Sequence, residues 1–111
     1  MTRYLLLTGL LSLSAWAGTA SWYGSECAGR LMANGKVFKP EALTCAAWKW
    51  PLGTRLQVKS ITNISTNSVT VTVTDRTDRR LGHNIDLSRA AFARLAELKW
   101  GVIVVEVKVI P

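Results

Sequence analysis

The sequence predicts a small, mainly β protein closed as a barrel, with one short α-helix. Three observations predict it. Residues 68–75, "SVTVTVTD", alternate Val69, Val71 and Val73 with Thr70, Thr72 and Thr74, the period-two pattern of a half-buried strand built from β-branched residues. About six such strand signals, each bounded by turn residues, are spread along the chain, against a single helical signal. A short all-β chain escapes exposed sheet edges most directly by closing on itself.

The elements follow in order. "GTASWYG" (18–24) reads as a first strand ending at Gly24, followed by a long loop (25–41) with a turn at Asn34-Gly35. "ALTCAAW" (42–48) is a short apolar segment. Pro51-Leu52-Gly53-Thr54 turns the chain into "RLQVKSI" (55–61), a strand by alternation. "NISTN" (63–67) is a turn, and its Asn63-Ile64-Ser65 matches a glycosylation triplet that is common by chance. Ser88 is the expected N-cap of a helix over 89–98, with Ala91, Phe92, Leu95 and Leu98 on one face and Gly101 as its stop. "VIVVEVKVI" (102–110) is a final strand whose apolar continuity predicts burial on both faces.

Residues 1–17 have the composition of a signal peptide. Arg3 supplies the positive start, an apolar stretch follows, and Ala15-Trp16-Ala17 forms an A-x-A cleavage pattern. The apolar stretch is short for a membrane span, which needs about 20 residues. The expectation is cleavage between Ala17 and Gly18, leaving one domain over 18–111, periplasmic or secreted, monomeric and without a stable membrane anchor. Cys27 and Cys45 both lie in the exported part, and their even count predicts a disulfide, with two free thiols as the alternative. A metal site is not expected: His83 is the only histidine, and no CxxC or HxxxH spacing occurs. No cofactor motif is present. The formal charge of +7, in an exported chain, points to an anionic envelope or wall surface and not to nucleic acid, with solubility alone as the alternative.

Six ordered blocks carry a family resemblance: "ASWYG" (20–24), "ANG" (33–35), "ALT" (42–44), "PLGT" (51–54), "VTVTDR" (71–76) and "IDLSRAAFARL" (85–95). Together they resemble the rare lipoprotein A family of septal ring lytic transglycosylases, related to expansin and barwin domains. The resemblance implies a six-stranded double-psi β-barrel with a groove across one face. It also implies cleavage of the β-1,4 bonds of peptidoglycan glycan strands, with 1,6-anhydro products and especially on strands stripped of peptide. The alternative it implies is a non-catalytic, expansin-like module that binds or loosens wall polysaccharide; a hydrolytic endoglucanase is a third option. The family's frequent "FHG" is replaced by Cys27-Ala28-Gly29. The histidine before the PLG turn is absent from "AAWKW", and "DRGP" is "DRTD". The missing histidines and the Trp48/Trp50 pair favour the non-catalytic reading, whereas the intact surroundings of Asp75 and Asp86 favour catalysis.

In a lytic transglycosylase the C6 hydroxyl of the sugar is the attacking group, so one carboxyl group serves as acid and then as base, and no metal or protein nucleophile is needed. Asp86 stands between Ile85 and Leu87 in the block matching "IDLS", and apolar surroundings favour the protonated form an acid requires. Asp75, kept ionised by Arg76, would support positive charge developing at the anomeric carbon. The alternatives are structural: Asp75 capping backbone N–H groups or pairing Arg76, and Asp86 bonding within the barrel. Tyr23 is the expected groove aromatic, with Ser25 and Glu26 beside it. Trp48 and Trp50, around Lys49, would stack on sugar faces or else cover the barrel end. His83, between the aspartates, would line the groove or stand in solvent. Trp100 is expected in the core, and Asp78 is expected to be a solvated loop charge.

Overall fold

A computed structural model describes residues 15–61, 67–81 and 84–111. Its strands are β1 (Ala15–Tyr23), β2 (Thr44–Ala46), β3 (Arg55–Ser60), β4 (Ser68–Asp75), β5 (Asn84–Ser88) and β6 (Val102–Val109), with a short helix α1 (Arg89–Ala93) between the last two. They close into a barrel in the order β1-β5-β2-β4-β3-β6. The β1–β5 and β2–β4 pairs are parallel, and the other four are antiparallel. The expected mainly β barrel with one short helix is therefore the fold of the chain.

The alternation legible in residues 68–75 places Val69, Val71 and Val73 inside the barrel. Leu56 and Val58 of β3, Ile85 and Leu87 of β5, and Ile103, Val105 and Val107 of β6 meet them there. Phe92 and Leu95 close one end and are almost wholly buried. The β6 strand is not buried on both faces: Val102, Val104 and Val109 are exposed, because a closed barrel has one interior and the outer face of this strand carries no covering layer.

The helix is shorter than its apolar pattern suggested. Ser88 caps it as expected, its Oγ accepting from the Ala91 N–H at 3.3 Å, but regular structure ends at Ala93. The chain then tightens: the Arg94 and Leu95 amides bond the carbonyls of Ala91 and Phe92, three residues back. Trp100 consequently falls on a separate 3₁₀ turn (Leu98–Trp100) and is 64% exposed, not in the core.

Strand β1 begins at Ala15, and its first three residues pair with Lys108, Val107 and Glu106 of β6. The expected cleavage point lies inside this strand. Among the described residues no helix is long and apolar enough to cross a membrane. The Asn63 triplet and His83 lie outside the described residues.

Candidate functional site

The site is set by strand register. Ser21 of β1 is level with Asp86 of β5, Asp86 is level with Ala46 of β2, and Ala46 is level with Asp75 of β4. Residues level with each other project to the same side of a sheet. The row Ser21–Asp86–Ala46–Asp75 thus crosses four neighbouring strands on the outer surface. The two aspartates flank Ala46, two strand spacings apart, roughly 9–10 Å between Cα atoms.

Asp75 reaches this row through a bulge. Cys45 pairs with Val73 but Ala46 pairs with Asp75, so Thr74 is an extra residue in β4. Without that insertion, strict alternation would turn Asp75 inward with Val73; the bulge returns it to the outer surface.

Asp86 is half-buried and held by polar neighbours. Its Oδ1 accepts a short hydrogen bond from the Ser21 hydroxyl and a longer one, 3.5 Å, from Asn84 Nδ2. Asn84 Nδ2 also donates to Ser21 Oγ at 3.0 Å, and Asn84 Oδ1 accepts from the Thr19 hydroxyl at 3.1 Å. The direction of each bond follows from the others. Asn84 must present its NH₂ to Ser21, which leaves the Ser21 proton for Asp86. Among the described residues the hydrogen bonds to this carboxylate reach Oδ1, and Oδ2 has none. The expected apolar surroundings are absent here: alternation sends Ile85 and Leu87 into the core, on the side opposite Asp86.

Asp75 takes the structural arrangement named as its alternative. One of its oxygens, Oδ1, accepts the N–H groups of Ala33 and Arg76, both at 2.9 Å. The Arg76 guanidinium turns away from it and donates instead to the carbonyls of Ala47 (3.1 Å) and Trp50 (2.5 Å), pinning the 47–50 loop.

Tyr23 lies among these groups. Burial, and then the charges of Asp75, Cys45 and Asp86 in that order, push its phenol well above the usual 10, so it stays neutral. One ring face is covered by Phe38, stacked at 4.4 Å and 25°. Its buried hydroxyl faces that of Thr44, whose hydrogen bond works against this rise. Ser25 and Glu26 sit on an exposed 3₁₀ turn, where Glu26 accepts the Gly24 N–H at 3.2 Å. Its carboxyl is held below the usual range by its own backbone N–H and that of Gly24.

The remaining expectations separate. Trp48 is partly exposed, with the Arg79 guanidinium 5.6 Å from its ring centre, an arrangement able to present a rigid flat face. Trp50 is not a groove residue: it is 9% exposed and packs edge-on against Trp16 at 5.5 Å. The chain enters the core at Ala47 and Trp50 because Arg76 ties both carbonyls down. Asp78 is the expected surface charge, paired with Arg80 and held below its usual range by it. The Cys27–Cys45 disulfide is not formed; both thiols are free. Cys45 is fully buried and faces the barrel core from β2, whereas Cys27 belongs to the surface turn after β1. Among the described residues no cluster of three or more acidic, His or Cys side chains could hold a metal.

Ser21, Asn84 and Thr19 were not singled out in the sequence. The signal was available for Asn84, which is two residues before Asp86 on a strand and so on the same face. The contribution of β1 was not legible, because it depends on a parallel pairing between residues 65 apart in the chain.

A lytic transglycolase family, DPBB_1, matches residues 15–107. The chain belongs to this family. Its double-psi β-barrel is also that of a Clavibacter michiganensis expansin variant solved in complex with cellohexaose. That structure superposes with a TM-score of 0.69 over 87% of this chain and 50% of that one, at 18% identity. The Streptomyces papain inhibitor superposes at 0.67 over 87% of this chain and 94% of its own, at 24% identity. Among sequences, the DPBB_1 domain is 41% identical over 92 residues to the uncharacterized Synechocystis protein ssl3177, covering 82% of this chain and 94% of that protein. It is 40% identical over 93 residues to the probable endolytic peptidoglycan transglycosylase RlpA of Aquifex aeolicus, covering 84% of this chain and 40% of that protein. With the Yersinia pestis endolytic peptidoglycan transglycosylase RlpA it shares 41% over 78 residues, 70% of this chain and 21% of that one. The chain thus spans less than half the length of these two transglycosylases.

Proposed function

We propose that this protein is an exported lytic transglycosylase of peptidoglycan, with Asp86 as its acid and base. The observation that carries the reading is the anchored, half-exposed Asp86 carboxyl, fixed through Oδ1 by Ser21 and Asn84 with Oδ2 open. The activity named for its relatives, and membership of the lytic transglycolase family, support it. Those names also support a periplasmic or secreted place of action.

In the reaction, the Asp86 carboxyl would give a proton through Oδ2 to the glycosidic oxygen as the bond from that oxygen to the anomeric carbon breaks. The C6 hydroxyl oxygen of the same sugar bonds the anomeric carbon, and its proton passes to the Asp86 carboxylate, restoring the acid. The products are a 1,6-anhydro end and a free 4-hydroxyl, with no water consumed. The Ser21–Asn84–Thr19 chain restrains rotation of the carboxyl, which leaves Oδ2 the oxygen available to the leaving group. Asp75, across Ala46, supplies negative charge near the anomeric carbon.

The test is incubation of purified protein with peptide-free glycan strands and with cellulose, followed by mass spectrometry. New 1,6-anhydro ends on the former, lost in Asp86→Asn with the fold retained, are expected. Unchanged product from Asp86→Asn defeats the assignment. The second reading, a wall-binding module, is favoured by the engagement of Asp75 with backbone amides and by the exposed Trp48; binding to insoluble wall without any new ends would establish it.

A further inference from the structure

Beside the acids lies a cleft of about 990 Å³ whose wall contains Lys36, Lys39, Asn34, Thr44, Thr72 and Thr74, and no acidic residue. Its size suits one or two sugar rings. It adjoins the site directly: Thr74, in its wall, precedes Asp75, and the Asn34 amide bonds the Thr74 carbonyl while the neighbouring Ala33 amide bonds Asp75. Neither lysine has an ion-pair partner among the described residues. The Thr44 hydroxyl is buried beside that of Tyr23. Two unpaired ammonium groups with hydroxyls behind them suit a carboxylate on a neutral sugar backbone: the charge meets charge, and the ring hydroxyls meet threonine and asparagine.

We infer that this cleft is a subsite for a carboxylate carried by the glycan, with Lys36 and Lys39 as its recognition pair. For its ligand the inference rests on the wall-glycan reading above. Peptide-free peptidoglycan strands carry such a group, the lactyl carboxylate, on every second sugar. The cleft therefore distinguishes them from chitin or cellulose, which have the same β-1,4 backbone and no carboxylate.

Binding is measured in the Asp86→Asn protein, so that cleavage plays no part. The probes are peptide-free glycan strands and the same strands with their carboxyl groups reduced to alcohols. The acidic strands should bind more tightly, and the Lys36→Ala/Lys39→Ala pair should weaken them about tenfold, as for the loss of two exposed charge-assisted contacts. The reduced strands should bind the parent and the lysine variant alike. A Lys59→Ala/Lys108→Ala control removes the same charge from the β3–β6 side of the barrel and should leave binding unchanged. Equal binding of both strand types, no effect of the cleft lysines, or equal loss in the control overturns the subsite. Because no bond is cut in this assay, the absence of anhydro ends elsewhere would defeat the proposed activity without touching this result.

Discussion

A strand can carry a surface carboxylate at no cost to its core, and Asp86 shows how. Its two apolar neighbours fill the barrel, while the acid stands on the opposite surface with Ser21 and Asn84. Its orientation therefore depends on those two partners. Ser21→Ala and Asn84→Ala should each lower turnover on peptide-free strands by about 10- to 100-fold, the cost of letting a reacting group wander by about an ångström. Their urea midpoints should move little, because both side chains are only part-buried. Equal losses of stability and of turnover would make these residues structural. Gly24 is a second position where one atom decides. A Cβ there would come within 2.8 Å of the Trp22 ring, whose Nε1 is already tied to the Leu98 carbonyl at 3.0 Å. Gly24→Ala should cost about 1–3 kcal/mol in a denaturant titration, since the ring has little room to retreat.

At the scale of elements, two joints hold the site in place. The first is Ser88, where β5 becomes α1. Its hydroxyl donates to the Ala42 carbonyl at 2.5 Å and accepts from the amides of Ala91 and, more distantly, Thr44. One wholly buried side chain thus caps the helix and ties it to the segment entering β2. Ser88→Ala strands a carbonyl and two amides together and should destabilise the protein by about 1–3 kcal/mol by urea titration. The second joint is the bulge at Thr74, which no periodic pattern announces. The valine–threonine alternation of residues 68–75 made the strand plain, but taken strictly it would turn Asp75 inward, away from the groove where it was expected. Only the pairing with β2 shows where the extra residue goes. The cap at Ser88 was readable because capping is local, whereas the early end of the helix was not, since Leu95 and Leu98 keep a helical spacing while the backbone tightens. Apolar continuity likewise misled for β6, because a strand can be rich in valine and still face solvent on one side of a single-layered wall.

The whole molecule adds an electrostatic constraint. Cys45 is enclosed in the barrel, and burial, aided by the charge of Asp86, pushes its thiol up from 9.0 to about 12. Tyr23 moves the same way, first through burial and then through Asp75, Cys45 and Asp86. Both groups keep their protons more tightly when folded, so the stability they contribute is complete below pH 9 and is lost as pH rises through their folded values. The unfolding free energy from urea titration should hold to about pH 9 and then fall, at most by about 1.4 kcal/mol per pH unit for each group. In Cys45→Ala the fall should begin nearer pH 10, where the tyrosine takes over; an unchanged onset would show that the thiol does not sense the core. At this scale the sequence was most legible. Family blocks and strand count together pointed to the barrel. The contents of the site were harder to read, because the disulfide, Trp50 and the Arg76–Asp75 pairing each depended on which side of a closed wall a residue occupies.

The bond from Ser21 to Asp86 joins the first strand of the barrel to the fifth, and the first strand is also clasped by the last. Ser21 thus has the fifth strand on one side and the last on the other, so its hold on Asp86 draws on both ends of the chain. A chain shortened before Val102 should therefore loosen the carboxylate, though every residue of the row Ser21–Asp86–Ala46–Asp75 is still present.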